Sequence, residues 1–335
     1  MTSDAVAFSE FELVAERVRN WGKWGESDEI GALNYLTAEG LASAAGLVTE
    51  GQAFPLSIPI DSEGVWSGNS MRRNAIHQFV VDGGDSRDLG EQMGAWPQAG
   101  AGNQLFPAVW GGRTRFADDT IFMSLQGSTQ WDALSHVWYD EQMYNGYAAA
   151  TVTSRGATRN GIEKAVAKGI AGRGVLLDVA RHRGVQSLPP NSPVFAEELD
   201  EICAAQGMAI RSGDILLIRT GWWSTFEPGT DGSAWIAGCP GLHWSCADWI
   251  HEHEIAAIAA DNLAVEVASA EVEDVFLPLH LLCIREMGVI FGEFWDLDAL
   301  ASACAADSRY DVLLVAPPLN IPGAVGSPVT PIALR

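Results

Sequence analysis

Residues 123–136 read MSLQGSTQWDALSH and place small residues, amides, one carboxylate and one imidazole next to one another. The run from Thr120 to Leu125 has the apolar character of a short strand. Gly127 interrupts this run, and a glycine lets the backbone pass close to another group because it has no side chain. The stretch therefore indicates a functional site at the end of a strand rather than a structural segment.

Four polar side chains of this stretch have spacings that favour their convergence. Gln126, Gln130 and Asp132 follow one another at intervals of four and two residues, so a strand end that runs into a turn directs all three into one cavity. His136 lies four residues after Asp132 and shares its face if the chain becomes helical there. These residues are the first candidates for a site.

The acidic composition argues against two classes of partner. The chain of 335 residues has a net charge of −23, whereas binding to nucleic acid or to an anionic membrane surface requires Lys and Arg to neutralise phosphate. The N-terminus lacks a basic region followed by an apolar segment, and no apolar run has the length of a membrane span. We therefore expect a soluble, cytoplasmic protein whose partner is a small-molecule substrate.

Other common site motifs are missing from the sequence. The chain has no GxGxxG after a strand, no Walker loop and no GxSxG elbow, so nucleotide binding and serine hydrolysis are not first choices. The cysteines are odd in number and have no CxxC spacing, which predicts neither a disulfide framework nor a zinc ribbon. They are Cys203, Cys239, Cys246, Cys283 and Cys304.

The second half of the chain alternates strand and helix patterns. Continuous apolar runs at Val175–Val179, Ile215–Arg219 and Ile255–Ala260 are typical of buried strands. Amphipathic segments at Phe195–Gln206 and Leu277–Met287 predict helices between them or after them. This alternation predicts an α/β fold with a mixed or parallel sheet covered by helices.

The N-terminal segment differs from the rest of the chain. Apolar residues from Phe8 to Val18 have helical spacing, and a glycine-punctuated loop with Trp21 and Trp24 follows. We interpret residues 1–36 as a Trp-rich arm that packs on the body or on a neighbouring subunit. Residues 37–335 contain no linker or repeat and form a single predicted domain. Within it, residues 64–112 are irregular, which favours a functional or poorly ordered loop.

The motif around Asp132 resembles the signature HxGTHxDxPxH of the cyclase family that includes bacterial kynurenine formamidase and isatin hydrolase. Thr129, Asp132 and His136 occupy the positions of its threonine, aspartate and last histidine. The two leading histidines are replaced by Gln126 and Gln130. The resemblance covers roughly residues 20 to 330 and implies a mixed, barrel-like sheet flanked by helices, as in kynurenine formamidase. It also implies a homodimer or homotetramer.

The resemblance further implies a metal site. In the family a later histidine and a following glutamate complete the site, and His280 and Glu293 match them in order and approximate spacing. The resemblance therefore makes His136 the residue that shuttles a proton to the leaving group, with Asp132 and His280 as further catalytic residues. The implied metal ligands are Gln126, Gln130, Asp132, His280 and Glu293.

The ligand types decide which metal suits this set. An amide oxygen is a weaker ligand than imidazole for zinc, while Mn²⁺ and Mg²⁺ accept carbonyl and carboxylate oxygens. We therefore expect a divalent metal, with manganese preferred over zinc. A metal-free site is the alternative, in which Asp132 orients His136 or His280 as a general base and the glutamines donate hydrogen bonds to a carbonyl oxygen.

Several side chains are candidates for gripping a flat substrate. Most are aromatic and flank the motif or the N-terminal loop, and one is a histidine of a predicted strand. They are Trp21, Trp24, Trp66, His77, Trp138 and Tyr144.

The sequence thus predicts a hydrolase that opens a C–N or C–O acyl bond in a cyclic or aryl amide, imide or lactone. Two other functions use the same pocket. A polyketide-type cyclase or dehydratase would use the acid/base pair without net consumption of water. A binding protein would keep the pocket and bind an aromatic metabolite without turnover.

Overall fold

The computed structural model describes residues 5–68, 71–83, 117–268 and 271–335. Most of the irregular segment predicted at residues 64–112 therefore lies outside the described residues. The strands are β1 (Ala53–Pro55), β2 (Ile76–Val81), β3 (Asp118–Phe122), β4 (Gln130–Asp132), β5 (Val152–Thr153), β6 (Gly156–Ala157), β7 (Ala171–Asp178), β8 (Pro193–Val194), β9 (Ile215–Arg219), β10 (Gly241–Leu242), β11 (Ala257–Ala260), β12 (Ile290–Glu293), β13 (Asp311–Val315), β14 (Gly326–Pro328) and β15 (Ile332–Leu334).

Helices cover this set of strands. None of the helices within the described ranges is long and apolar enough to cross a membrane. The α-helices are α1 (Phe8–Val18), α2 (Ala38–Ala45), α3 (Ile162–Lys168), α4 (Val179–His182), α5 (Ala196–Gln206), α6 (Ser233–Ala237), α7 (Ala247–Glu252), α8 (Pro278–His280), which continues as a π-helix over Leu281–Met287, and α9 (Asp298–Asp307). Short 3₁₀-helices occur at Gly31–Tyr35, Tyr144–Gly146, Ala149–Thr151, Trp223–Thr225 and Trp244–Cys246.

A nine-stranded mixed sheet forms the centre of the fold. Its order is β1-β15-β13-β7-β9-β11-β12-β4-β14, and it curls into a half-barrel. The middle strands β7, β9, β11 and β12 run parallel, whereas β13 and β4 pair antiparallel with their neighbours. The middle strands are buried along nearly their whole length, which explains their continuous apolar sequences. The predicted mixed α/β fold is confirmed.

The N-terminal residues pack on the body of the same chain. Phe11, Ala15 and Val18 of α1 are buried in the main core, where they join apolar side chains of the sheet and its helices. Arg17 forms a two-pronged ion pair with Asp248 of α7, with distances of 2.6 and 2.5 Å. Helix α1 therefore adds to the core of its own chain, and the division at residue 36 stays a prediction.

The elements around the motif differ from the sequence prediction in two places. The strand predicted from Thr120 to Leu125 is β3, which ends at Phe122 and pairs antiparallel with β2 in an exposed two-stranded sheet. The helix predicted at Leu277–Met287 begins at Pro278 and changes to π-helical geometry after His280. A π-helix carries an extra residue per turn and often marks a functional site, because it displaces a side chain from the regular helical position.

Candidate metal centre

Strand β4 carries the central part of the motif into the sheet. It lies between β12 and β14, and its register places Gln130 opposite Glu293. Gln130 and Asp132 point to the same face of the sheet because successive residues of a strand alternate. Trp131 points to the other face, where its buried indole donates to the carbonyl of Ala316 at 2.9 Å. The sheet thus directs both polar side chains to one side and anchors them through Trp131.

Two residues shape the chain just before β4. The Thr129 hydroxyl accepts a hydrogen bond from Ile58 N at 2.9 Å and donates to the carbonyl of Phe294, which fixes β4 against the end of β12. Gly127 closes a tight turn, since its N–H donates to Ser124 O at 2.9 Å and an added Cβ would lie 2.8 Å from the same oxygen. A side chain at position 127 would therefore distort the entry to the strand.

Three buried side chains from β4, α8 and β12 meet at the site. Ligand atoms of Asp132, His280 and Glu293 all lie within 4.8 Å of one another, which is close enough for the three side chains to hold one metal ion. His280 Nε2 is 3.5 Å from Glu293 Oε1. Gln130 Nε2 donates to Glu293 Oε2 at 2.8 Å, so the amide holds the glutamate in place. We call Asp132, His280 and Glu293 the carboxylate–histidine cluster.

Asp132 has an unusual environment for a buried carboxylate. Its side chain is 0% exposed, yet neither oxygen accepts a hydrogen bond from the described part of the chain. Burial raises the pKa of this carboxyl group, and Glu293 adds to the rise, although His136 and His280 oppose it. A buried carboxylate that accepts no hydrogen bonds costs free energy, which a bound cation would offset.

His280 is held between two carboxylates. Its Nδ1 hydrogen-bonds to Glu266 at 2.6 Å, while Nε2 faces Glu293. Burial alone would lower the pKa of His280, but the hydrogen bonds to Glu266 and Glu293 outweigh it and raise the pKa to about 10. The imidazole therefore carries a proton in the absence of a metal.

The donor set of this site fits a divalent cation. Three carboxylates, on Asp132, Glu266 and Glu293, are buried here, and the guanidinium of Arg72 lies 3.9 Å from Glu293. A divalent ion with a neutral imidazole would balance these charges. Gln130 Oε1, which is buried without a hydrogen-bond partner in the described residues, offers a further oxygen.

His136 connects the cluster to solvent. Its Nε2 is 3.5 Å from Asp132 Oδ1, and its side chain is 20% exposed. It lines an open groove of about 690 Å³ together with Trp138, which is 39% exposed, and Phe276, which is 71% exposed. His136 therefore lies between this groove and the buried Asp132.

Gln126 and Trp66 lie on another side of the site. An added Cβ at Gly326, which pairs with Asp132, would be 2.5 Å from Gln126 Nε2. The backbone carbonyl of Gln126 accepts from Arg72 at 3.0 Å, and the Arg72 guanidinium stacks on the Trp66 ring, 4.8 Å from its centre. The structure thus brings Gln126 beside β14 and Trp66 beside Arg72.

Four of the predicted substrate-binding residues have their described contacts elsewhere. Trp21 donates to the carbonyl of Arg285 at 2.7 Å, and Trp24 packs edge-on against Tyr35. His77 pairs with Asp119 on the exposed hairpin. Tyr144 is fully buried and donates to Asp28 at 2.9 Å. Within the described residues these contacts do not reach the carboxylate–histidine cluster, whereas Trp138 shares the groove with His136.

Sequence reasoning missed Glu266 and Arg72. Glu266 precedes His280 by 14 residues, and the surrounding residues Ala264 to Val267 carry no motif spacing that would link it to a histidine. Arg72 precedes a strand in an irregular segment and gives no periodic signal. Only the folded chain shows that these two charged side chains adjoin the cluster.

Solved structures share this architecture. A structure described as a novel cyclase is 41% identical to this chain. The match covers 96% of this chain and 99% of the cyclase chain, and the two superpose with a TM-score of 0.83. Isatin hydrolase A from Labrenzia aggregata is 17% identical, and the match covers 88% of this chain and 96% of the hydrolase chain, with a TM-score of 0.57. An isatin hydrolase bound to the product analogue thioisatinate is 15% identical, with 90% and 99% coverage and a TM-score of 0.59.

A protein-family model described as "Putative cyclase" matches residues 54–267, which include the motif and Glu266. No curated protein matches the chain. The family match covers more than half of the sequence, and the novel cyclase structure is similar along almost all of it. The chain therefore belongs to this cyclase family.

Proposed function

We propose that this protein is a metal-dependent hydrolase that opens a C–N or C–O acyl bond in a cyclic or aryl amide, imide or lactone. One observation carries the proposal: the buried Asp132 has no hydrogen-bond partner in the described residues, and its carboxylate lies with His280 and Glu293 in a group compact enough to hold one ion. A purely structural cluster would satisfy these oxygens with donors.

Some residues of the site would bind the metal directly, and Gln130 also holds one of these ligands in position. Asp132, Glu293 and His280 Nε2 would hold the metal, and Gln130 Oε1 would add a weak neutral ligand. A divalent ion, when bound, polarises an acyl carbonyl and makes water more acidic. Because oxygen ligands outnumber nitrogen, we propose Mn²⁺ as the preferred ion. Gln130 Nε2 keeps Glu293 in position through its hydrogen bond of 2.8 Å.

His136 is the proposed proton carrier. Its imidazole lies at ion-pair distance from Asp132 and at the boundary between the buried cluster and the groove. From this place it can accept a proton from water near the cluster and donate it to the leaving nitrogen or oxygen of the substrate.

The side chains that line the groove indicate which class of substrate to propose. Trp138 and Phe276 expose apolar surface beside His136 and can hold a planar ring. The two isatin hydrolases are named for hydrolysis of a cyclic amide. Their sequence identity to this chain is low, so their names serve only to choose the first substrates to test. Cyclic amides and imides fused to an aromatic ring are therefore the first compounds to test.

The experiment is a substrate screen by mass spectrometry. Protein supplied with Mn²⁺ is incubated with aryl-fused cyclic amides, imides and lactones and with N-acyl arylamines, and His136→Ala serves as the matched control. We expect a product heavier by one water with the wild-type protein and almost none with His136→Ala. Loss of one water would indicate a cyclising dehydratase instead, and tight binding without any change of mass would indicate a binding protein.

A further inference from the structure

We infer that Glu266 is a positioning residue that fixes the ring of His280, so that Nε2 faces Asp132 and Glu293. The inference rests on the proposed metal site, because it concerns how one ligand of that site is aimed. Glu266 belongs neither to the carboxylate–histidine cluster nor to the motif. Glu266 is 1% exposed and lies in the loop that follows β11.

The carboxylate of Glu266 makes three hydrogen bonds to two consecutive residues. Oε1 accepts from the backbone N–H of His280 at 2.7 Å and from its ring Nδ1 at 2.6 Å. Oε2 accepts from the N–H of Leu279 at 2.9 Å. These backbone groups open helix α8, whose first residue is Pro278 and lacks an N–H. One buried carboxylate therefore holds both the main chain and the ring of the same histidine.

The hydrogen bond to the ring determines which nitrogen can bind a cation. An ionised carboxylate only accepts hydrogen bonds, so Nδ1 of His280 must carry a proton. Nε2 is then the nitrogen with a lone pair to offer once its own proton leaves, and it is the one that faces Glu293 at 3.5 Å. Metal-binding histidines commonly have such a carboxylate on their second nitrogen, which fixes the ring and makes it a stronger ligand.

The loop that carries Glu266 is itself firmly held. Asn262 accepts from the N–H of Val265 at 2.8 Å and donates to the carbonyl of Pro240 at 2.5 Å. Val265 has a positive φ of 58°, a conformation that β-branched residues rarely adopt without such support. Gly241 lies so close that an added Cβ would be 2.5 Å from the Glu266 carbonyl carbon. Glu266 is thus placed by a loop with little freedom to move.

The test compares Glu266→Gln with Asp261→Asn. The Glu266→Gln substitution keeps the size of the side chain but replaces one acceptor oxygen with an NH₂ group, so the Nδ1–H of His280 would no longer be enforced. We expect Mn²⁺ affinity, measured by titration calorimetry, to fall about 10- to 100-fold. Asp261→Asn alters a buried carboxylate five residues away that bonds to Thr220 and Gly221, and we expect its Mn²⁺ affinity to match wild type.

A spectroscopic readout separates aiming of the ring from mere support of the helix. In ¹⁵N-histidine NMR spectra of the wild-type protein loaded with diamagnetic Zn²⁺, we expect one imidazole bound through Nε2 with a proton on Nδ1. Assignment uses His280→Gln, which removes that signal. Binding through Nδ1 would overturn the inference even if Glu266→Gln fails to fold. In a folded Glu266→Gln variant, unchanged metal affinity or an unchanged ring signal would also overturn it.

The outcomes also distinguish this inference from the proposed function. If wild-type protein binds neither Mn²⁺ nor Zn²⁺, the metal site fails, and with it the inference that Glu266 aims a ligand. If the wild type binds metal and Glu266→Gln binds it equally well, the hydrolase proposal stands and only the inference about Glu266 fails.

Discussion

Asp132 lies in β4 and Asp261 directly follows β11, and these two buried aspartates have opposite surroundings. Asp261 is 1% exposed and accepts hydrogen bonds from Thr220 N at 2.8 Å, Thr220 Oγ1 at 2.6 Å and Gly221 N at 2.7 Å. Asp132 is 0% exposed and accepts none from the described residues. Burial alone therefore does not identify a functional carboxylate. The absence of donors, next to His280 and Glu293, is what distinguishes Asp132.

The largest difference that we expect between substitutions of Asp132 and of Asp261 is in kcat. Asp132→Asn removes a charged metal ligand, and metal assistance is worth several kcal/mol of transition-state stabilisation, so we expect kcat to fall by about a thousandfold or more. Asp261→Asn should leave kcat within about twofold, because its partners lie outside the cluster. Initial rates on the substrate found by the screen measure both. Equal losses in the two variants would remove the distinction between the aspartates.

His136→Ala should have the next largest effect. Loss of a general acid/base residue lowers kcat by about 10²- to 10⁴-fold. Metal content should not change, because the carboxylate–histidine cluster that holds the ion does not include His136. The thermal midpoint should stay within a few degrees, since the ring is at the edge of a groove. Elemental analysis beside steady-state kinetics tests this, and a change in KM alone would assign His136 to substrate binding instead.

Metal ions should stabilise the protein through Asp132 but not through Asp261. A ligand at about 100 times its Kd raises the free energy of unfolding by about 2.7 kcal/mol. We expect Mn²⁺ to raise the urea midpoint of wild type and Asp261→Asn and to leave that of Asp132→Asn unchanged. Protein in EDTA provides the baseline. A rise of the same size in Asp132→Asn would place the bound ion elsewhere.

The smallest predicted effect is a pH dependence of the free energy of unfolding that is caused by the Asp261 carboxyl group. Burial raises its pKa to about 6, although the hydrogen bonds from Thr220 and Gly221 oppose the rise. A carboxyl group with a raised pKa in the folded state stabilises the fold at low pH, and this contribution is lost as pH rises through 6. Between pH 5 and 7.5 the unfolding free energy of wild type should fall by about 1.4 kcal/mol relative to Asp261→Asn. Parallel pH profiles would contradict this.

The sequence was informative where the chain is long, apolar or part of a motif. The buried strands β7 and β9 have apolar runs that read directly as strands, and the cyclase resemblance indicated Asp132, His280 and Glu293, which the structure brings together. Strands β4 and β14 span three residues each and exist because distant segments pair with them, which no local pattern reveals.

Long-range contacts also engage two of the predicted substrate-binding side chains. Their places near the motif and in the N-terminal loop predict that Tyr144 and Trp21 bind substrate, and this stays a prediction. In the structure the Tyr144 hydroxyl donates to Asp28, and the Trp21 indole donates to the carbonyl of Arg285. Aromatic residues with a polar atom often join distant segments in this way, and sequence cannot distinguish that use from ligand binding.

The most direct test of the account is equilibrium dialysis of metal-depleted protein against Mn²⁺, with the bound metal measured by elemental analysis. We predict about one ion per chain for wild type and for Asp261→Asn, and none for Asp132→Asn. A wild-type protein that stays free of Mn²⁺ and Zn²⁺, or an Asp132→Asn variant that retains the full amount, would contradict the claim that Asp132, His280 and Glu293 form a metal centre.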